Sequence, residues 1–211
     1  MTLMVGQRLV NSLDRYLKII LQVAFLNFLW ILFTLMGLII GGIFPATTAA
    51  INVARKWHKE KEMHGTFKVF KETYKKEFIK SNMIGLILTL IGGVLLLNYY
   101  ALQVLGNKVS VFVVFAYFFV TFLYCVLAVW IFPLLSHYDT TIIQYFKNAL
   151  IIGITKIKTT VIIMSTTFIV MYFSLKLPSM LLFYSVSLIV LSCSFFAEQV
   201  FAEIDESVTN Q

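Results

Sequence analysis

Formal charges divide this chain of 211 residues into long uncharged stretches separated by short basic ones. No Asp, Glu, Lys or Arg occurs in residues 19–54 (36 residues), 81–107 (27), 109–138 (30), 159–175 (17) or 177–197 (21). A helix rises about 1.5 Å per residue and a bilayer core is about 30 Å thick, so about 20 apolar residues cross it. Each stretch therefore predicts a membrane-crossing helix. The shortest is lengthened by Lys158 and Lys176, whose stems lie along apolar surface while their ammonium groups reach water. Apolar residues run continuously instead of alternating, which disfavours a β-barrel. The predicted fold class is an all-α polytopic helical membrane protein forming a single domain, with spans at 81–107, 109–138, 159–175 and 177–201.

Residues 19–54 are too many for one helix and contain Gly37, Gly41, Gly42 and Pro45, which break helices or let backbones approach closely. They form either one long tilted span followed by an interfacial helix, or a hairpin of two helices turning in the glycine-rich segment. Lys and Arg accumulate in short cytoplasmic loops. A hairpin places 15 of the 17 Lys and Arg on one side, and a single crossing places 12 there. The preferred reading is six membrane helices with both termini cytoplasmic, the second being short or partly re-entrant because of Pro45. Five spans with the N-terminus outside is the alternative.

Between Thr66 and Asn82, the residues Phe67, Phe70, Tyr74 and Phe78 share one helical face, and Lys68, Lys71, Lys75, Lys76 and Lys80 occupy most of the remainder. This predicts, within the basic cytoplasmic segment 55–80, an amphipathic surface helix with aromatics dipping into the bilayer and lysines facing anionic lipid or a partner protein. A second such helix is expected over 140–158, following Phe132-Pro133 as the first follows Phe44-Pro45. Residues 1–18 supply a third, with Leu9, Leu13, Tyr16 and Leu17 on one face. The acidic tail, from Glu198 on and over 202–211 in particular, is expected to fray. The apolar stretch after Lys18 is too long for a secretory signal peptide, so the N-terminus is expected to stay on the mature protein.

Composition agrees with burial in lipid. Hydrophobic residues make up 60% and charged residues 13%, and mean hydropathy is +0.88, which excludes a soluble globular domain and a disordered chain. Glu72 and Glu77 dilute the basic helix and no nucleic-acid-binding motif accompanies it, so no nucleic acid is expected as partner. Cys125 and Cys193 lie inside apolar runs, and His58, His64 and His137 are scattered, so neither a redox pair nor a metal site is indicated. No cofactor is expected. Apart from His137 at the end of one, the uncharged stretches hold only neutral polar groups, among them Asn27, Thr34, Thr47, Asn98 and Thr121, which usually bond neighbouring helices and would also line any path for a neutral solute. Catalytic motifs are missing, and His137 with Asp139, beside Ser136 and Thr140, are two positions apart and do not face each other on a helix. No enzymatic activity is expected.

Several short elements are more specific. Asn27-Phe28-Leu29-Trp30, FPATTAA over 44–50, Arg55-Lys56-Trp57, the F-x-x-F-x-x-x-Y-x-x-x-F run ending in Asn82, Phe132-Pro133 and Lys147-Asn148-Ala149-Leu150 together resemble the YesL family of bacterial integral membrane proteins, whose function is unknown. The resemblance implies a plasma-membrane protein encoded beside ABC-type sugar importers and polysaccharide-degrading enzymes, with an accessory or regulatory role in carbohydrate uptake. A facilitator or carrier for a small neutral solute is the alternative. The resemblance brings no catalytic or ligand residues. Physically, Pro45 starts or kinks a helix whose freed carbonyls are met by the Thr47 and Thr48 hydroxyls, and Trp30 belongs to the same structural motif.

Overall fold

The computed structural model describes the backbone of residues 2–60, 65–106 and 109–209, and the side chains of these apart from 2–13, 15 and 208. His64, Lys108 and the apolar face formed by Leu9 and Leu13 lie outside the described side chains. The described chain forms eight helices and no strand: α1 (Thr2–Met36), α2 (Ile43–Glu60), α3 (Thr66–Leu105), α4 (Val111–His137), α5 (Ile142–Thr155), α6 (Ile157–Lys176), α7 (Pro178–Phe183) and α8 (Ser185–Thr209). The protein is an all-α, polytopic, multi-pass membrane protein.

Among the described residues, five helices are long and apolar enough to cross a bilayer, over Tyr16–Met36, Thr66–Leu105, Val111–His137, Ile157–Lys176 and Ser185–Ser207. The count is thus five candidate spans, not the preferred six. The chain nevertheless follows the hairpin path. After Met36 it reverses through residues 37–42 and returns as α2, so that Val23 near the start and Trp57 near the end share one core cluster. The reversal is tight. A Cβ on Gly42 would lie 2.3 Å from the Thr34 carbonyl oxygen, and one on Gly37 would lie 2.4 Å from the Gly42 Cα, so both positions exclude larger residues. Leu38 and Ile39 adopt φ of 55° and 65°, a left-handed conformation costing an L-residue of their size about 1–2 kcal/mol each.

The uncharged part of α2, residues 43–54, is 12 residues long and spans about 18 Å, too short for a full crossing. Its small residues explain its position. Ala46, Ala49, Ala50, Val53 and Ala54 are buried, letting α1, α3, α4 and α8 approach it from several sides. Leu26, Phe33 and Phe70 then fill the spaces around this thin central helix.

Three further boundaries differ from expectation. The basic amphipathic segment and the following span are one continuous 40-residue helix, because the junction at Lys80-Ser81-Asn82 has neither Pro nor Gly to break it. Phe70 and Tyr74 accordingly face the Phe33 ring of α1, both with centroids 5.0 Å away, instead of entering lipid. Similarly, residues 2–18 belong to the same helix α1 as the span that follows them. The stretch expected as a single span from 177 to 201 is broken after Phe183 into α7 and α8. The acidic C-terminal stretch stays helical through Thr209.

Candidate functional site

The sequence-specified polar residues sit where helices meet. From α1, Asn27 donates from Nδ2 to the Leu182 carbonyl at 2.6 Å, and its Oδ1 accepts the backbone N–H groups of Val186 and Ser187 at 3.0 and 3.2 Å. Asn27 thereby caps the first turn of α8, whose N–H groups have no partners within their own helix. One turn later, the Trp30 indole N–H donates to Thr47 Oγ1 at 3.0 Å, and Thr47 donates on to the Ile43 carbonyl at 2.7 Å. Thr48 donates to the Phe44 carbonyl at 3.1 Å and shares a hydrogen bond with Ser81 of α3 at 3.0 Å. Pro45 occupies the first turn of α2, where its missing N–H breaks no helical bond, so it starts the helix without kinking it.

The aromatic run on α3 completes the joint. Tyr74 donates to the Phe33 carbonyl at 3.2 Å, and Asn82 donates from Nδ2 to the Gly41 carbonyl at 3.0 Å, binding the reversal at residues 37–42 to α3. Phe44 and Phe132 of the two Phe-Pro pairs stack, with centroids 6.2 Å apart and planes 4° from parallel. Beneath them Gly85 leaves room for the Phe44 ring.

A charged cluster joins α2, α4 and α8. Glu198 is 8% exposed; its Oε1 lies 2.9 Å from His137 Nδ1 and 4.0 Å from Arg55 Nε, and its Oε2 lies 3.1 Å from Lys59 Nζ. On the other side of the imidazole, His137 Nε2 is 3.5 Å from Asp205, which accepts the Tyr138 hydroxyl at 2.8 Å. Arg55 also donates to Asn52 Oδ1 at 3.0 Å, and Asn52 donates to Thr73 of α3 at 2.7 Å. Burial lowers the Arg55 pKa, with Glu198 opposing the shift. Burial raises that of the Tyr138 phenol, reinforced by Asp205. Beside this cluster, two adjoining polar cavities of about 180 and 340 Å³ share Asn52, Arg55 and Thr73 as lining.

His137 and Asp139 point to different partners. His137 meets Glu198, whereas Asp139 accepts Lys80 Nζ at 2.5 Å, which holds the Asp139 carboxyl below its usual range. Ser136 donates to the Pro133 carbonyl at 2.8 Å, and the Thr140 backbone N–H donates to the Tyr145 hydroxyl at 3.2 Å. The cluster is thus an imidazole held between carboxylates that clamps three helices together. Sequence reading missed Glu198, whose partners are 61 positions or more away along the chain. The five lysines do not act alike: Lys76 pairs with Glu77 and Lys80 with Asp139, whereas Lys68, Lys71 and Lys75 are exposed without an ion pair among the described residues.

A family model described as "Protein of unknown function, DUF624" matches residues 23–99, the stretch holding Asn27, Trp30, the α2 motif and Asn82. The uncharacterized protein YteU of Bacillus subtilis (strain 168) is 34% identical over 189 residues, covering 85% of this chain and 82% of its own. The chain belongs to the DUF624 family. Two other B. subtilis proteins, both also described as uncharacterized, are similar over nearly the whole length. YesV is 33% identical, covering 88% of this chain and 89% of its own, and YesL is 28% identical, covering 93% and 92%. The YesL-like resemblance read from the sequence therefore holds. No solved structure matches the chain. Within the family match, each polar motif residue described above closes a helix joint, while His137 and Glu198 lie beyond it.

Proposed function

We propose that this DUF624 protein is a non-enzymatic accessory or regulatory membrane subunit associated with carbohydrate uptake. It sits in the bacterial plasma membrane with its C-terminus and the basic segment 55–80 cytoplasmic and engages components of an ABC-type sugar importer. The observation that carries this reading is a contrast in packing. Neutral polar groups such as Asn27, Trp30, Thr47, Thr48 and Asn82 are used in joints between the protein's own helices, whereas the α3–α4 hairpin beyond Gly85 is left largely uncovered. Val111, Phe112, Phe115 and Phe118 are 81%, 85%, 72% and 60% exposed, and across the hairpin Tyr117 pairs with Tyr99 of α3 at 6.4 Å. Such a hairpin offers a lateral face to the helices of another membrane protein, and the basic segment 55–80 supplies the cytoplasmic contact. The carbohydrate assignment rests on the family resemblance.

A carrier for a neutral solute needs Asn27, Thr34, Thr47, Asn98 and Thr121 along one wet path. Asn27 and Thr47 instead serve the α8 cap and the Trp30 joint, and Asn98 and Thr121 bond carbonyls of their own helices, which favours the subunit reading. Affinity purification of the tagged chain from native membranes is expected to recover the importer's permeases in near-stoichiometric amounts. Recovery of the chain by itself, after cross-linking as well as without it, contradicts the proposal.

A further inference from the structure

The N-terminal half of α3 has two differently used flanks. Toward α2 and α4, its lysines are neutralised within the protein, Lys76 by Glu77 at 3.5 Å and Lys80 by Asp139 at 2.5 Å. The opposite flank carries Phe67, Lys71, Lys75 and Phe78 and, with Leu32 and Met36 of α1, lines an open groove of about 390 Å³. Met36, Phe67 and Phe78 are 69%, 48% and 37% exposed, so the groove has an apolar floor left uncovered by the described residues. Lys71 and Lys75 stand at its rim one helical turn apart, and Lys71 Nζ lies 6.0 Å from the centre of the Phe67 ring.

Two like charges at this spacing repel each other, and neither has an ion-pair partner among the described residues. An apolar partner helix would cover the floor and leave both ammonium groups uncompensated. A soluble anion would neutralise the lysines and leave the floor wet. An amphiphile with an anionic head and an apolar tail satisfies both. We propose that this groove is a binding site for an anionic phospholipid, one acyl chain lying between Leu32, Met36, Phe67 and Phe78 and the phosphate held between Lys71 and Lys75. The site is independent of the sugar-importer reading.

The test uses the full chain, delipidated in neutral detergent and titrated by native mass spectrometry with dioleoyl phosphatidylglycerol and, separately, with dioleoyl phosphatidylcholine. Phosphatidylglycerol binds more tightly. Each lysine near a phosphate contributes about fivefold, so K71Q/K75Q weakens phosphatidylglycerol binding by about 25-fold and leaves phosphatidylcholine unchanged. K76Q on the opposite flank has no effect, M36W weakens both lipids by filling the groove, and excess inorganic phosphate fails to displace the lipid. The unfolding temperature of K71Q/K75Q in lipid-free detergent matches wild type; should it fall, K71R/K75R, which keeps both charges, must retain the preference. Equal affinity for the two lipids, an unaffected K71Q/K75Q, or displacement by inorganic phosphate overturns the site.

Discussion

Replacing Glu198 by Gln removes the charge on which α2, α4 and α8 converge while preserving side-chain volume. Three cationic or ionisable groups lose their partner, but not equally. The Lys59 side chain is 55% exposed, so its ion pair contributes about 0.2–1 kcal/mol, as surface pairs do. The His137 side chain is 11% exposed and 2.9 Å from the carboxylate, and a hydrogen bond to a charged group contributes about 1.5–3 kcal/mol. At 4.0 Å, Arg55 adds little directly, although its half-buried guanidinium loses a compensating charge. The expected loss is about 2–3 kcal/mol. At about 2–4 °C per kcal/mol for a chain of this size, the unfolding temperature of the detergent-solubilised protein falls by about 5–10 °C. E203Q is the control, because Glu203 lies on the exposed side of α8, paired with Lys156. A double-mutant cycle of H137A with E198Q isolates the contact and should return a coupling of about 1 kcal/mol or more. An E198Q protein melting within about 2 °C of wild type, or additive H137A and E198Q effects, would refute the clamp.

Three other outcomes follow from the same geometry. A Cβ at Gly85 would lie 2.2–2.4 Å from Phe44 ring atoms, whereas one at Gly93 meets nothing within 4 Å. G85A is therefore expected to cost about 1–3 kcal/mol and G93A to leave the melting temperature unchanged or higher; the reverse order in a thermal-shift series would remove the Phe44–Phe132 joint. The Asp139 pKa is depressed below its ordinary 3.8 by Lys80, so its contribution is full well above pH 4 and is lost as pH falls through the folded value. The stability difference between wild type and D139N should hold from pH 5 to 7 and shrink steadily below about pH 4, and a pH-independent difference contradicts the pairing. In a background of C125S and C193S, an impermeant maleimide applied to intact cells should reach cysteines at Ser110 and Leu177 but not at Lys71 or Ser207; labelling at Ser207 would invert the proposed orientation.

Charge spacing located the spans well wherever local sequence also stops the helix. Lys156 and Lys176 bracket α6, and α4 fills nearly all of the uncharged stretch 109–138. It failed where charge changes without a backbone signal, as at Lys80-Ser81, where α3 runs on. It also failed where a break is specified from afar. The division between α7 and α8 is stabilised by Asn27, more than 150 positions away, and no local period encodes that contact. The joints around Trp30, Thr47 and Thr48 were half legible. The hydroxyl bonds to Ile43 and Phe44 follow from sequence spacing, but the Trp30 and Ser81 partners require the fold. Glu198 was illegible for the same reason. Within a run of acidic residues it reads as tail, and only the assembly of α2, α4 and α8 brings it to His137.

The central claim is that this chain serves sugar import as an associated subunit, and transport reads it most directly. Initial uptake of a radiolabelled oligosaccharide is measured in a strain lacking the chain, with permease levels checked by immunoblot, and again after the wild-type copy is restored. The account expects a reduced initial rate that recovers on restoration. An unchanged rate across all three strains, with permeases equally abundant, would contradict it.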